Sequence, residues 1–362
     1  MTGDKRRILL MVAGGIGDFI NAAPAIQALR AGHPDAFLGL LVTDRCYDYA
    51  ARCPHVDRVY ALPSLHHGRT WRERLATQAE TVAALWRLRR ERFEVLVNLM
   101  SIGSLRGALR VWTMIRLLGV SLSVGRDTAG RGSFYDLRLA EPSTEGDESS
   151  DAERFLALAS LLGRPLTLPK SPEIWINEEE RGQARDLLRE LDGPGPLVLI
   201  HPGSDRETRL WFAERYAEFA AELVGARKAR VAVVGGAQEA ALAAQIQRLA
   251  RPALVRTLCG RTTIGSLACL FGAADLVVCN YSMALHLAAA VAAPCLGLCA
   301  SGYPQRDRPL WAHGQMLLLW KPLSCSPCYH WHCPQKAYMR CMEQISVEDA
   351  LRGADALLAG KP

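Results

Sequence analysis

Three groups of residues in this 362-residue sequence have the types and spacing that chemistry needs. The first is Gly14-Gly15-Ile16-Gly17-Asp18, directly after the apolar run Arg7 to Val12. Glycines let a backbone turn tightly and approach a ligand, and free N–H groups at a helix start attract anions. Asp18 in that turn is either a cap on the helix or a carboxylate placed as general base. The second group follows three later apolar runs. It comprises His201-Pro202-Gly203-Ser204 with Arg209, Gly235-Gly236 with Glu239, and Asn280-Tyr281-Ser282-Met283-Ala284-Leu285-His286. A Gly-Ser turn with a nearby Arg suits diphosphate oxygens, because a guanidinium donates paired hydrogen bonds. Glu239 suits a ribose hydroxyl or caps its helix. Asn280 or Ser282 can cap the next helix so that its first N–H groups meet a phosphate, with His286 one turn in.

The third group is Cys325-x2-Cys328-x4-Cys333-x7-Cys341, with His330 and His332 between. Four thiolates at this spacing suit a structural zinc or iron. The alternatives are buried thiols or disulfides formed on oxidation. Cys259, Cys269, Cys279, Cys295 and Cys299 fall in apolar segments and read as small core residues.

Positioning these groups takes a scaffold of short strands and helices. Arg7–Val12, Phe37–Val42, Val56–Ala61 and Val95–Leu99 read as strands, alternating with helical stretches at Phe19–Ala31 and Thr70–Phe93. After an acidic loop at 140–150, a helix at Asp151–Gly163 and a proline-punctuated linker at 165–172, the pattern restarts. Strands are expected at Leu197–Ile200, Val231–Val234, Leu276–Cys279 and Cys295–Leu298. The helices between them are Phe212–Val224, Gln238–Leu249, Ile264–Ala273 and Ser282–Val291, with a last one at Val347–Ala359. Such alternation predicts parallel, doubly wound sheets whose ligands bind at the carboxyl ends of the strands. The expected division is 1–170, 171–346 with the cysteine segment inside it, and a terminal helix in 347–362. The glycine turn is not G-x-G-x-x-G and no acid ends the second strand, so a dinucleotide-dependent dehydrogenase is disfavoured.

Composition narrows the class. Hydrophobic residues make up 49% and charged residues 22%, which excludes a disordered or collagenous chain. No apolar run spans a bilayer, and the N-terminal run breaks at Gly14-Gly15 without a cleavage pattern, so a cytoplasmic protein with reduced cysteines is expected. The net charge is +6, and of 43 basic residues 37 are Arg and 6 are Lys. No basic block or nucleic-acid signature appears, so phosphate ligands or an anionic surface fit better than nucleic acid. Between Arg69 and Arg92 seven arginines interleave with Trp71, Leu75, Val82 and Trp86. This helix either rests on an anionic membrane or lipid acceptor, or packs its apolar side on a sheet and solvates the rest.

Taken in order, ILLMVAGGIGDFINAAPAIQALRAGHPDA with PHVDRVYAL, LVLIHPGSDRETRLWFAERYAEFA, VAVVGG, LCGRTTIGSLACLFGAADLVVCNYSMALHLAAA and SCSPCYHWHCP resemble glycosyltransferase family 9, the ADP-heptose:lipopolysaccharide heptosyltransferases. The resemblance implies an α/β GT-B fold, two Rossmann-like domains facing a cleft, and inverting sugar transfer without a catalytic cofactor. It implies Asp18 as general base, Ser204 and Arg209 on the donor diphosphate, Glu239 on the ribose, and Ser282 and His286 in a phosphate loop. The family's usual Asp near the donor sugar is Tyr281 here, and Met283 and Ala284 replace its small Gly and neighbour. A nucleotide-sugar donor is therefore expected, with heptose the first candidate sugar and lipopolysaccharide core the first candidate acceptor. A protein or soluble-metabolite acceptor, or a weakly active nucleotide-sugar binder, are the alternatives. Some relatives of this type carry a cysteine-bound iron, so the resemblance permits a metal at the four thiols. Lipid-linked acceptors would imply peripheral contact with the inner membrane.

Overall fold

The computed structural model describes residues 5–63, 70–141, 149–163, 166–167, 169, 172–251, 254–302, 304, 308–309, 315–328 and 330–360. Most of the acidic loop, parts of the proline-punctuated linker, Arg69, and the side chains of Trp71 and Arg74 lie outside the described residues. The chain divides into two compact units, Met1–Glu173 and Ile174–Pro362.

In the first unit the order is β1 (Arg7–Val12), α1 (Ile16–Gly32), β2 (Phe37–Thr43), α2 (Asp44–Ala50), β3 (Arg58–Leu62), α3 (Trp71–Arg89), β4 (Val95–Asn98), α4 (Leu105–Leu118), β5 (Leu122–Thr128), β6 (Leu137–Glu141) and α5 (Asp151–Ser160). All six strands are parallel, in the order β3-β2-β1-β4-β5-β6. β1 and β4 are apolar and almost wholly buried because helices cover both faces of the sheet. Leu85 and Leu88 of α3 and Met114 and Leu118 of α4 pack with Leu9, Met11, Leu41 and Leu96. Glu173 stays with this unit: its carboxylate accepts from Gln27 Nε2 at 2.9 Å and meets His55 Nε2 at 2.7 Å.

The second unit runs α6 (Glu178–Glu190), β7 (Leu197–His201), α7 (Ala213–Arg227), β8 (Arg230–Val233), α8 (Ala240–Leu249), β9 (Val255–Thr257), α9 (Ile264–Ala273), β10 (Leu276–Asn280), α10 (Met283–Ala290), β11 (Cys295–Cys299), β12 (Met316–Trp320), α11 (Arg340–Glu343) and α12 (Val347–Ala359). Its strand order, β12-β11-β10-β7-β8-β9, repeats the arrangement of the first sheet, again all parallel. Trp211, Tyr216 and Phe219 fill its core, and Ala350 and Ala354 bring α12 into the same core. Asp355 of α12 also pairs with Arg227 of α7.

Local sequence explains many helix starts. Thr70, Ser150, Asn177, Thr263 and Ser346 each accept a hydrogen bond from the backbone N–H three residues on, satisfying donors a helix start leaves unpaired. The helix expected at Gln238–Leu249 begins instead with a 3₁₀ turn at Ala237–Glu239. Four further strands, β5, β6, β9 and β12, and the helices α2, α4, α6 and α11 complete the pattern.

In both sheets the connection reverses direction beside the first strand, between β1 and β4 and between β7 and β10. Backbone from the two adjoining loops diverges there, leaving a crevice outside the carboxyl ends where ligands of open α/β sheets bind.

Candidate active site

At the second sheet's reversal point, β7 ends at His201 and the chain turns through Pro202, Gly203 and Ser204. A Cβ on Gly203 would lie 2.6 Å from Glu239 Oε1, so glycine here lets the Glu239 side chain lie against the loop after β7, and a larger residue would displace it. Glu239 Oε2 accepts from Gly236 N at 2.7 Å, which makes its side chain a brace for that turn as well as a group at the sheet edge. Burial pushes its carboxyl above the usual range, with the Gly236 hydrogen bond opposing.

Asn280 ends β10 and is fully buried. Its Oδ1 accepts from Trp211 N at 3.2 Å and Tyr216 Oη at 2.9 Å, and its Nδ2 donates to the Pro202 carbonyl. The amide is thus spent tying β10 to the β7 loop and the start of α7. The Asn280 side chain has no exposed surface and its Oδ1 already accepts twice, so what it holds is the protein's own loops rather than the donor. Its polarity reflects a buried knot.

Ser282 caps α10, its Oγ accepting from Ala284 N at 3.4 Å, so the first N–H groups of that helix point out of the sheet edge. Met283 is the first helical residue and is half-buried, as is His286 one turn in. Arg209 comes from a 3₁₀ turn at Glu207–Arg209. Its Nη1 donates to the Tyr281 carbonyl at 3.2 Å, and its Cζ stands 4.7 Å from the Tyr281 ring centroid. The Tyr281 ring is buried and lies 6.3 Å from the ring of His286. Ser204 is half-buried, and its Oγ accepts from Arg206 N at 3.3 Å. Ser204, Arg209, Glu239, Ser282, Met283 and His286 therefore all follow the carboxyl ends of β7, β8 and β10. A guanidinium, a hydroxyl and a capped helix start at one sheet edge suit a diphosphate.

His201, which opens the His201-Pro202-Gly203-Ser204 group in the sequence, is the last residue of β7. Burial lowers its pKa to about 4, so it is a neutral imidazole in the wall of this region.

The turn carrying Arg209 is held by the cysteine-rich segment. Arg206 stands over Trp331 with Cζ 5.3 Å from the ring centroid, Glu207 pairs with His332, and Thr208 Oγ1 donates to the His330 carbonyl at 2.6 Å. Three consecutive residues thus grip one segment more than a hundred positions away. Cys325, Cys328, Cys333 and Cys341 all line one cavity of about 370 Å³, together with Thr208 and His330. All four are free thiols, and burial raises Cys341, with the other three thiols adding to the rise. The donor set has the chemistry for zinc or iron. However, among the described residues no three His, Cys, Asp or Glu side chains are grouped as metal ligands.

In the first unit, Asp18 is the third residue of α1, and its Oδ2 accepts from Gly15 N at 2.8 Å. Gly14 permits this, since a Cβ there would lie 2.3 Å from Asp18 Oδ2. The capping role is therefore real, and the carboxylate is half-buried at the carboxyl end of β1. Gly17 lies within the same first turn. Asn98 ends the neighbouring β4, donating to Tyr135 Oη at 2.6 Å and accepting from Met100 N at 3.0 Å. This second buried asparagine at a reversal point was legible only as the polar end of a V-L-V-N run.

Two Rossmann-type units, each with its reversal point beside the first strand, have the GT-B architecture of glycosyltransferases. The chain belongs to glycosyltransferase family 9 (heptosyltransferase), whose model matches residues 82–339. It is 24% identical over 315 residues to lipopolysaccharide heptosyltransferase 2 of Escherichia coli (strain K12), covering 84% of this chain and 85% of that protein. Its structure resembles E. coli ADP-heptose LPS heptosyltransferase II, with a TM-score of 0.69, 20% identity and 98% of both chains covered. It also resembles a family 9 glycosyl transferase of Veillonella parvula DSM 2008, with a TM-score of 0.75, 18% identity, and 100% and 99% covered.

Proposed function

We propose that this glycosyltransferase moves heptose from an ADP-heptose donor to a hydroxyl of lipopolysaccharide core, with inversion. The observation that carries the reading is the gathering of Ser204, Arg209 and the capped start of α10 at one reversal point in a family 9 chain. The second unit is the donor side and the first, with Asp18, the acceptor side. The relatives' names supply the sugar and the acceptor.

The reaction is a single displacement. Asp18 takes the proton of the acceptor hydroxyl as its oxygen bonds to the anomeric carbon. The bond from that carbon to the diphosphate oxygen breaks, and the nucleoside diphosphate leaves with the electron pair. Arg209 and the first N–H groups of α10 meet the charge that develops on it. No catalytic metal is required by these steps. Tyr281 favours a second reading of the donor sugar, because a phenol ring offers a sugar no carboxylate acceptor. The test is a binding screen of ADP-, GDP-, UDP- and dTDP-sugars, followed by nucleoside diphosphate release with core acceptor. Tightest binding and turnover with ADP-heptose are expected; preference for another nucleotide sugar overturns the donor assignment.

The four thiols around the cavity are not grouped as ligands as they stand, so a structural zinc or iron would require them to close on it, which would stiffen the segment that grips the Arg209 turn. No helix among the described residues is long and apolar enough to cross a membrane. A cytoplasmic enzyme meeting a lipid-linked acceptor at the inner face of the membrane accords with this proposal.

A further inference from the structure

We propose that the outward faces of α3 and α4 together form a docking surface for an anionic lipid bilayer. Both helices cover the same face of the first sheet with their inner sides, through Leu85, Leu88, Met114 and Leu118. Their outer sides carry another apolar set. On α4, Leu105, Leu109 and Trp112 are 79%, 62% and 41% exposed, spaced four and three residues apart on one stripe. On α3, Leu75, Val82 and Trp86 repeat at seven and four, with Trp86 56% exposed. These six make up more than half of the exposed large apolar side chains found among the described residues. Single exposed leucines are ordinary, but six on two packed helices are a patch.

The charges on this patch choose the partner. Helix α4 carries Arg106, Arg110 and Arg116 and no acid. The two acids of α3, Glu73 and Glu80, fall on roughly the opposite side from Leu75, Val82 and Trp86 at about 100° per residue. Each exposed tryptophan has its own arginine: Arg116 Cζ is 5.6 Å from the Trp112 ring centroid, and Arg89 Cζ is 5.9 Å from that of Trp86. Arg89 also joins the helices, donating to the Leu117 carbonyl at 2.8 Å. Tryptophan beside arginine, with leucines between, matches the depth profile of a bilayer interface, where rings sit at the headgroups and guanidinium groups meet lipid phosphates. A second copy of the chain fits less well, because a two-fold contact sets the same patch against itself and would oppose arginine to arginine. The sequence pattern pointed to α3 alone, with its arginines interleaved with Leu75, Val82 and Trp86; α4 adds a second apolar stripe.

This surface rests on no assumption about the donor, and its test is independent of transfer chemistry. The whole chain is sedimented with vesicles of phosphatidylcholine alone or with phosphatidylglycerol added. Binding to the anionic vesicles only, weakened by salt, is expected. Leu105→Ser with Leu109→Ser should weaken it roughly tenfold, and Arg106→Gln with Arg110→Gln roughly thirtyfold, given about 1 kcal/mol per arginine at such a surface. Far-UV circular dichroism and the thermal unfolding midpoint, measured on the same preparations, should stay unchanged and report that each variant is folded. Absence of salt-sensitive vesicle binding in the wild type overturns the proposal. So does retention of binding in both variants, or a wild-type dimer in sedimentation velocity that the leucine variant dissolves.

Discussion

The guanidinium of Arg209 stands over the ring of Tyr281, its Cζ 4.7 Å from the centroid, and donates to the carbonyl of the same residue at 3.2 Å. A residue that departs from the family's usual aspartate thus orients the arginine assigned to the diphosphate. Gly302 leaves room for the ring, since a Cβ there would lie 2.9 Å from Tyr281 Cδ1. Removing the ring in Tyr281→Ala should raise the donor KM by roughly 5–30-fold, the range of a partly desolvated cation–π contact, while Tyr281→Phe stays near wild type. Steady-state kinetics with varied donor checks this, and equal effects of the two substitutions would point to the phenol oxygen instead.

Asp18→Asn should lower turnover by about 10²–10⁴-fold, the usual contribution of a positioned general base, and leave donor affinity intact. An amide oxygen can still accept from Gly15 N, so the helix start survives the change. Single-turnover rates beside ADP titration separate the two effects. Turnover within a few-fold of wild type would reduce Asp18 to a capping residue.

Stability should fall in mild acid because of His201. Its folded pKa is about 4 against 6.5 for the exposed side chain, since burial disfavours the imidazolium. Below pH 6.5 the unfolded chain takes up a proton that the folded chain refuses. The stability present above pH 6.5 is therefore lost progressively as pH falls towards 4, by about 3 kcal/mol in total. Urea unfolding across this range should show the loss, and His201→Gln should flatten it. Parallel pH curves for the two proteins would assign the acid sensitivity elsewhere.

Protein purified without oxygen should carry about one zinc or iron per chain if the four thiols act as a ligand set. Cys328→Ser and Cys333→Ser should each lose the metal and lower the melting temperature. Elemental analysis reads the first outcome and calorimetry the second; an empty wild-type protein would leave the cavity as four free thiols.

Much of the scaffold was legible because parallel strands buried on both faces are written as unbroken apolar runs, as in Leu197–Ile200 and Leu276–Cys279. The strands that escaped notice are short or lie towards the sheet edges. β12 is only half-buried along most of its length, and β9 has three residues. Helix α4 was not read from the sequence although it is amphipathic, with Arg106 and Arg110 set away from Val111, Ile115 and Leu118. Of the site, the glycine turns and Arg209 were visible as local patterns. Asn280 was visible too, but its burial reversed the natural reading of a polar residue after a strand.

The sequence by itself determined the strand–helix alternation, the turn residues, the thiol spacing and the family, because each is written in side-chain type over a few neighbouring positions. Tertiary structure alone decided which polar groups are bound internally and which face outward. Asn280 bonds Pro202, 78 residues away, and Thr208 bonds His330 across 122. Such pairs arise where loops from separate strands converge at one sheet edge, and no local period records that convergence.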